Sequence, residues 1–138
     1  MQNKISWYSL FLGFILTCHS PLLLAADNTA IAAAINDILI EAKQKFDAKE
    51  YEKSAATIER AVRIIPNNPV LWHNLSGIRL QQENWKQAVS LAAKSNSLAQ
   101  KNRQLRIRNW TVISLACEAM QNKICVTESR KRVFSLMQ

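Results

Sequence analysis

Pro69-Val70-Leu71-Trp72-His73-Asn74-Leu75-Ser76-Gly77, continued after a polar break by Asn84-Trp85 and then Ala88, Ala92, Ser95 and Leu98, is a unit that the chain writes more than once. At an offset of 34 residues, Glu50-Tyr51 with Ser54, Ile58, Ala61 and Ile64 falls on Asn84-Trp85 with Ala88, Ala92, Ser95 and Leu98, and Ala42 falls on Ser76. The small residues recur together. Where helix axes must approach to about 8 to 10 Å, Ala42, Ala61, Ser76, Ala88 and Ser95 remove the bulk that would hold them apart. Tyr51, Trp72, Trp85 and Trp110 are read as filler for the wider gaps. A period of this length marks stacked supersecondary units.

The apolar residues on either side of this unit also keep helical spacing. Ile31, Ile35, Ile38, Leu39, Ala42 and Phe46 form one stripe between Asp27 and Asp47, with Asn28 or Thr29 placed to cap its start. A second stripe, Tyr51, Ala55, Ile58, Val62 and Ile65, stops at Pro66, which has no donor to continue the ladder. Asn68 caps and Pro69 opens a third helix to about Gln82, because a missing N–H costs nothing in a first turn. A fourth helix is expected from Asn84 to about Leu98, a fifth over about 103–121 behind Asn102, and a sixth over about 123–136 behind Asn122.

The pattern resembles the tetratricopeptide repeat: Trp72 at the fourth position, small Ser76, Ala88 and Ser95 at eight, twenty and twenty-seven, aromatic Trp85 at seventeen, and Pro66 at thirty-two of the preceding copy. In that frame the repeats cover 35–68, 69–102 and, after four extra residues, 107–138, where Trp110-Thr111-Val112-Ile113-Ser114 echoes Trp72-His73-Asn74-Leu75-Ser76. The last copy departs from the pattern, with Lys123 in the aromatic position and Val126 and Val133 in small ones. The fold the resemblance implies is all-α, a short right-handed α-solenoid of about three helix hairpins. Three repeats is also the number such a stack normally needs.

The whole chain has 138 residues with 49% hydrophobic side chains but only 2 Gly and 3 Pro, too few turn formers for a many-stranded β protein. Residues 1–26 stand apart. After Lys4, Ile5 to Ala26 carries no charge, and Asp27 follows at once. This reads as an export signal cleaved near Ala26 or Asp27, leaving a helical domain over 27–138. The stretch is also long enough for a membrane anchor if left uncut. Ile15-Leu16-Thr17-Cys18 gives a third reading, a lipoprotein box acylated at Cys18. All three place the protein at the periplasm or cell envelope.

Charge is distributed unevenly. Residues 27–100 hold nine bases and eight acids, whereas 101–138 hold eight bases and two acids. Arg103, Arg106, Arg108 and the run Arg130-Lys131-Arg132 form a basic patch that would meet anionic membrane, envelope polymer or an acidic protein, or serve only as a solvated face. With export, nucleic acid is not an expected client. Glu41, Asp47, Glu50, Glu52 and Glu59 read as exposed helix charges offset by Lys43, Lys45, Lys49 and Lys53. Cys117 and Cys125 flank the Gln121-Asn122 turn at equal distances, so in an antiparallel hairpin and an oxidising compartment they are disulfide candidates; the alternative is two buried thiols.

Catalytic chemistry is not expected. No Gly-rich phosphate loop or nucleophile elbow is present, His73 is the sole imidazole outside the leader, and two cysteines do not complete a zinc shell, so neither metal nor other cofactor is anticipated. Binding remains. The resemblance implies a concave groove formed by the first helix of each hairpin, holding a protein or peptide segment. Its candidate residues are Leu39, Ile40, Lys43 and Phe46, then Val70, His73, Asn74, Gly77 and Leu80, then Arg108, Thr111, Val112, Leu115 and Glu118. Gly77 costs about 1 kcal/mol relative to Ala in mid-helix, which asks for a reason in packing or in ligand approach. Beside the groove adaptor stand two further expectations: a basic C-terminal tether to anionic membrane or polymer, and a subunit whose end repeat another protein covers.

Overall fold

A computed structural model describes the backbone of residues 21–138, with side chains from Thr29 onward. Among the described residues six helices follow one another: α1 (Pro21–Asp47), α2 (Tyr51–Ile64), α3 (Pro69–Gln81), α4 (Trp85–Ala99), α5 (Arg103–Ala119) and α6 (Lys123–Met137). They pair as α1·α2, α3·α4 and α5·α6, and the three hairpins stack in chain order into a short helical solenoid. Cys18 and most of the uncharged leader lie outside the described residues. No described helix is long and apolar enough to cross a membrane.

One boundary differs from its expectation. The described part of the first helix runs from Pro21, and Asn28 and Thr29 lie inside it rather than at its cap. The Ala-rich run around Asn28 and Thr29 contains no breaker that would make a helix start there. Elsewhere the caps form where the sequence places them. The Asn68 side chain accepts from the Val70 N–H at 2.9 Å, Asn102 from Leu105 at 3.0 Å, and Asn122 from Cys125 at 3.1 Å. Asn84 starts α4 without a side-chain cap bond.

The three hairpin turns share one backbone solution. Lys49, Glu83 and Gln121 sit at φ 62°, 59° and 55°, the left-handed region that usually takes glycine. Beside each, the next amide reaches back five residues: Glu50 to the Lys45 carbonyl, Asn84 to Arg79, and Asn122 to Cys117, all at 2.9 Å. These turns recur at the offsets of the sequence repeat. The four extra residues of the last unit become one additional turn at the start of α5, Arg103 to Arg106. Because an α-helix turns once in about 3.6 residues, the added turn leaves the buried face nearly where it was.

Two apolar clusters form the core. Ala42, Ala55, Ile58, Ala61, Val62, Leu71, Leu75 and Ile78 fill the first, with Phe46, Tyr51 and Trp72 against it. Ala88, Ala92, Val112, Ile113, Ala116 and Cys117 fill the second, with Trp85 and Trp110 against it. Each of the small residues Ala42, Ala61, Ser76, Ala88 and Ser95 is buried. The serines among the buried small residues also bond: Ser54 Oγ donates to the Ala42 carbonyl at 2.7 Å, tying α2 to α1. Cys117 and Cys125 are joined in a disulfide with Cα atoms 5.8 Å apart, which closes α5 onto α6. By the chain-entropy argument a loop this short adds about 2 to 3 kcal/mol.

Candidate functional site

A cavity of about 540 Å³ opens between the first and second hairpins. Leu39, Ile40, Lys43, Phe46 and Asp47 of α1 form one wall, and His73, Asn74, Gly77, Leu80 and Gln81 of α3 form the other. Ser54 and Ile58 of α2 lie at its floor. The 3.6-residue period puts these side chains on one face of each helix, because Leu39, Lys43 and Phe46 are spaced by four and three, as are His73, Gly77 and Leu80. An ideal Cβ built on Gly77 would meet nothing within 4 Å. Its missing side chain is therefore not required by packing within the described chain; the space belongs to the cavity.

The expected single groove is divided. Thr111, Leu115 and Glu118 line a second depression of about 370 Å³ between α5 and α6, together with Ser114, Arg130, Val133, Phe134 and Met137. Val70 and Arg108 line neither. The Val70 carbonyl instead accepts from Asn74 Nδ2 at 2.8 Å, and Val112 is buried in the second core cluster. The helix crossing explains the division: Trp110 and Val112 turn into the core and Arg108 is exposed away from both depressions, so α5 lends the second depression only Thr111, Leu115 and Glu118 of its expected set.

His73 sits at the edge of the first cavity and has partners that the sequence did not reveal. Its Nδ1 lies 2.7 Å from Asn109 Oδ1 on α5. Asn109 is completely buried, and its Nδ2 donates to Ser95 Oγ at 2.8 Å and to Asn96 Oδ1 at 3.1 Å. Ser95 Oγ in turn donates to the Pro69 carbonyl at 2.7 Å. A carbonyl can only accept, so it sets the direction of the chain: Ser95 gives its proton to Pro69 and accepts from Asn109, whose oxygen is left to accept from His73. The neutral imidazole thus carries its proton on Nδ1. Burial pushes the His73 pKa below its usual 6.5, the hydrogen bond with Asn109 pulls it back up, and the nearby Arg108 guanidinium pushes it down again. Asn96 Nδ2 is buried beside this chain without a protein acceptor.

The charged side chains are more engaged than their spacing suggests. Lys43 meets Asp47 at 2.6 Å and Lys53 meets Glu50 at 2.9 Å along single helices, as expected for a solvated face. Glu41 accepts from Lys45 at 2.5 Å, and this contact holds its carboxyl below the usual range. Glu59 and Glu52 instead face Arg79 across the hairpin junction, at 2.5 and 3.7 Å. The C-terminal basic patch is partly neutralised: Arg130 pairs with Glu118, Arg132 with Glu128 at 2.8 Å, and Arg103 donates to the Leu136 carbonyl. Arg132 also lies over the Trp110 ring, 5.9 Å from its centroid. Among the described residues, His, Cys, Asp and Glu side chains nowhere gather in the threes that a metal shell requires.

No family model matches the chain, and no curated protein matches it. Among solved structures, the globular C-terminal domain of P. aeruginosa LpoP is similar at 27% identity with a TM-score of 0.70, over 72% of this chain and 93% of that one. The six-helix body and that domain are therefore alike in fold.

Proposed function

We propose that the chain is a non-enzymatic protein-interaction module of tetratricopeptide type, working at the cell envelope and holding an extended or helical partner segment in the cavity between α1 and α3. The observation that carries the reading is Gly77. A mid-helix glycine forfeits about 1 kcal/mol, it opens onto the cavity, and no neighbour occupies the space its side chain would take. Apolar Leu39, Ile40, Phe46 and Leu80 with polar Lys43, His73 and Asn74 supply the mixed lining that a peptide segment needs. The uncharged leader supports the envelope setting, and the likeness to the LpoP C-terminal domain supports the helical body of such a module.

The test is site-specific photocrosslinking in the native envelope, with a photoreactive residue at Ile40 on the cavity rim or at Lys94 on the exposed side of α4. Ile40 should give one discrete adduct and Lys94 none, and Leu80→Glu should remove the adduct while leaving the helical dichroism intact. Equal labelling from both positions, or an adduct indifferent to Leu80→Glu, overturns the reading. Gly77→Ala sharpens the test: it should stabilise the fold by up to about 1 kcal/mol and weaken the adduct at the same time.

A further inference from the structure

The last described helix of the stack is α6, and the face it shares with α5 is not finished as an end. Leu115, Phe134 and Met137 are 48, 65 and 67% exposed around the second depression. The chain itself shows what such a face receives. One hairpin earlier, α5 lies on α3 and α4, held where Asn109 meets His73, Ser95 and Asn96. At the 38-residue offset relating the second unit to the third, those three positions become Thr111, Val133 and Phe134, all of which line the depression. Gly77 likewise becomes Leu115. The last hairpin thus presents the seat of a seventh helix, with the polar socket for Asn109 replaced by apolar Val133 and Phe134.

The net charge of the last hairpin specifies the occupant. Residues 101–138 hold eight bases and two acids, and both acids are already taken, Glu118 by Arg130 and Glu128 by Arg132. Arg106, Arg108, Lys123 and Lys131 have no ion-pair partner among the described residues. Two copies meeting through this end would bring like surpluses together, which disfavours self-association. We infer that the α5–α6 end face docks an amphipathic helix of a partner protein, one with an apolar ridge set into the depression and acidic residues on its flanks. This surface shares no lining residue with the cavity between α1 and α3, so either assignment can fail without the other.

The test uses the full processed chain carrying Phe134→Trp as a reporter, titrated with a designed 16-residue amphipathic helix that has a leucine ridge and glutamate flanks. The same peptide with lysine flanks and vesicles of phosphatidylglycerol serve as comparisons. The glutamate peptide should blue-shift the reporter and bind at least tenfold more tightly than the lysine peptide. Leu115→Glu should weaken binding at least tenfold with helical dichroism retained, and Leu80→Glu should leave it unchanged. Equal affinity for both peptides, a shift with vesicles alone, or concentration-dependent dimerisation of the chain without peptide would each overturn the inference. The last two would assign the face to a membrane surface or to a second copy.

Discussion

The two junctions between hairpins are sealed by opposite chemistry. Where α2 meets α3, the polar link runs along the rim: Arg79, 16% exposed in its side chain, spans Glu59, Glu52 and Gln82 above an apolar contact of Ile58, Val62, Leu71 and Leu75. Where α4 meets α5, the polar link runs through the middle, as a buried amide that bonds three side chains from two other helices. Both hold one hairpin on the next. The first has water as a substitute partner, and the second does not.

That contrast sets the sizes of the expected losses. Asn109→Ala strands His73 and Asn96, leaves Ser95 with only its bond to Pro69, and opens a cavity, so it should cost about 2 to 4 kcal/mol in urea unfolding, with little dependence on salt. A loss below about 1 kcal/mol would mean that the amide is only filler. Arg79→Ala should cost about 1 kcal/mol, discounted because Glu52 is well exposed and Glu59 partly so, and the loss should shrink in 1 M salt as the ion pairs are screened. If the Arg79 loss matches that of Asn109, or ignores salt, the two junctions are not different in kind.

The smallest effect concerns pH. Because the folded state lowers the His73 pKa from its usual 6.5, the unfolded chain binds the proton more readily. Stability from this group is therefore complete above about pH 6.5 and drains away as pH falls through that range toward the folded value. His73→Gln should flatten the decline between about pH 7 and 5. An unchanged slope would separate the imidazole from the Asn109 chain. The same experiment on Arg79→Ala should leave this decline intact.

Most of the element order was legible because helix boundaries are local. Pro66, Asn68, Asn102 and Asn122 act on their own neighbours, and their signals survive whatever packs on them. Asn28 and Thr29 do not cap α1 for the complementary reason: they suit a cap, but nothing between Pro21 and Ala42 obliges the ladder to stop there. The left-handed turns at Lys49, Glu83 and Gln121 left no trace in residue type, since none is glycine. Asn109 did leave one. In the repeat frame it stands opposite Leu71, a polar residue in a position that is fully buried one unit earlier.

The repeat period, the small residues at each crossing and the helix caps are written in the order of residues, because each depends on spacing along one helix or one turn. Which charges pair, where the groove breaks in two, and whether Asn109 is buried depend on how the hairpins lean on one another. Such contacts join residues dozens of positions apart, as Arg79 does with Glu52 and His73 with Asn109. No local rule reaches that far: desolvation and pairing are properties of the assembled stack, and they come into existence only when one hairpin covers the next.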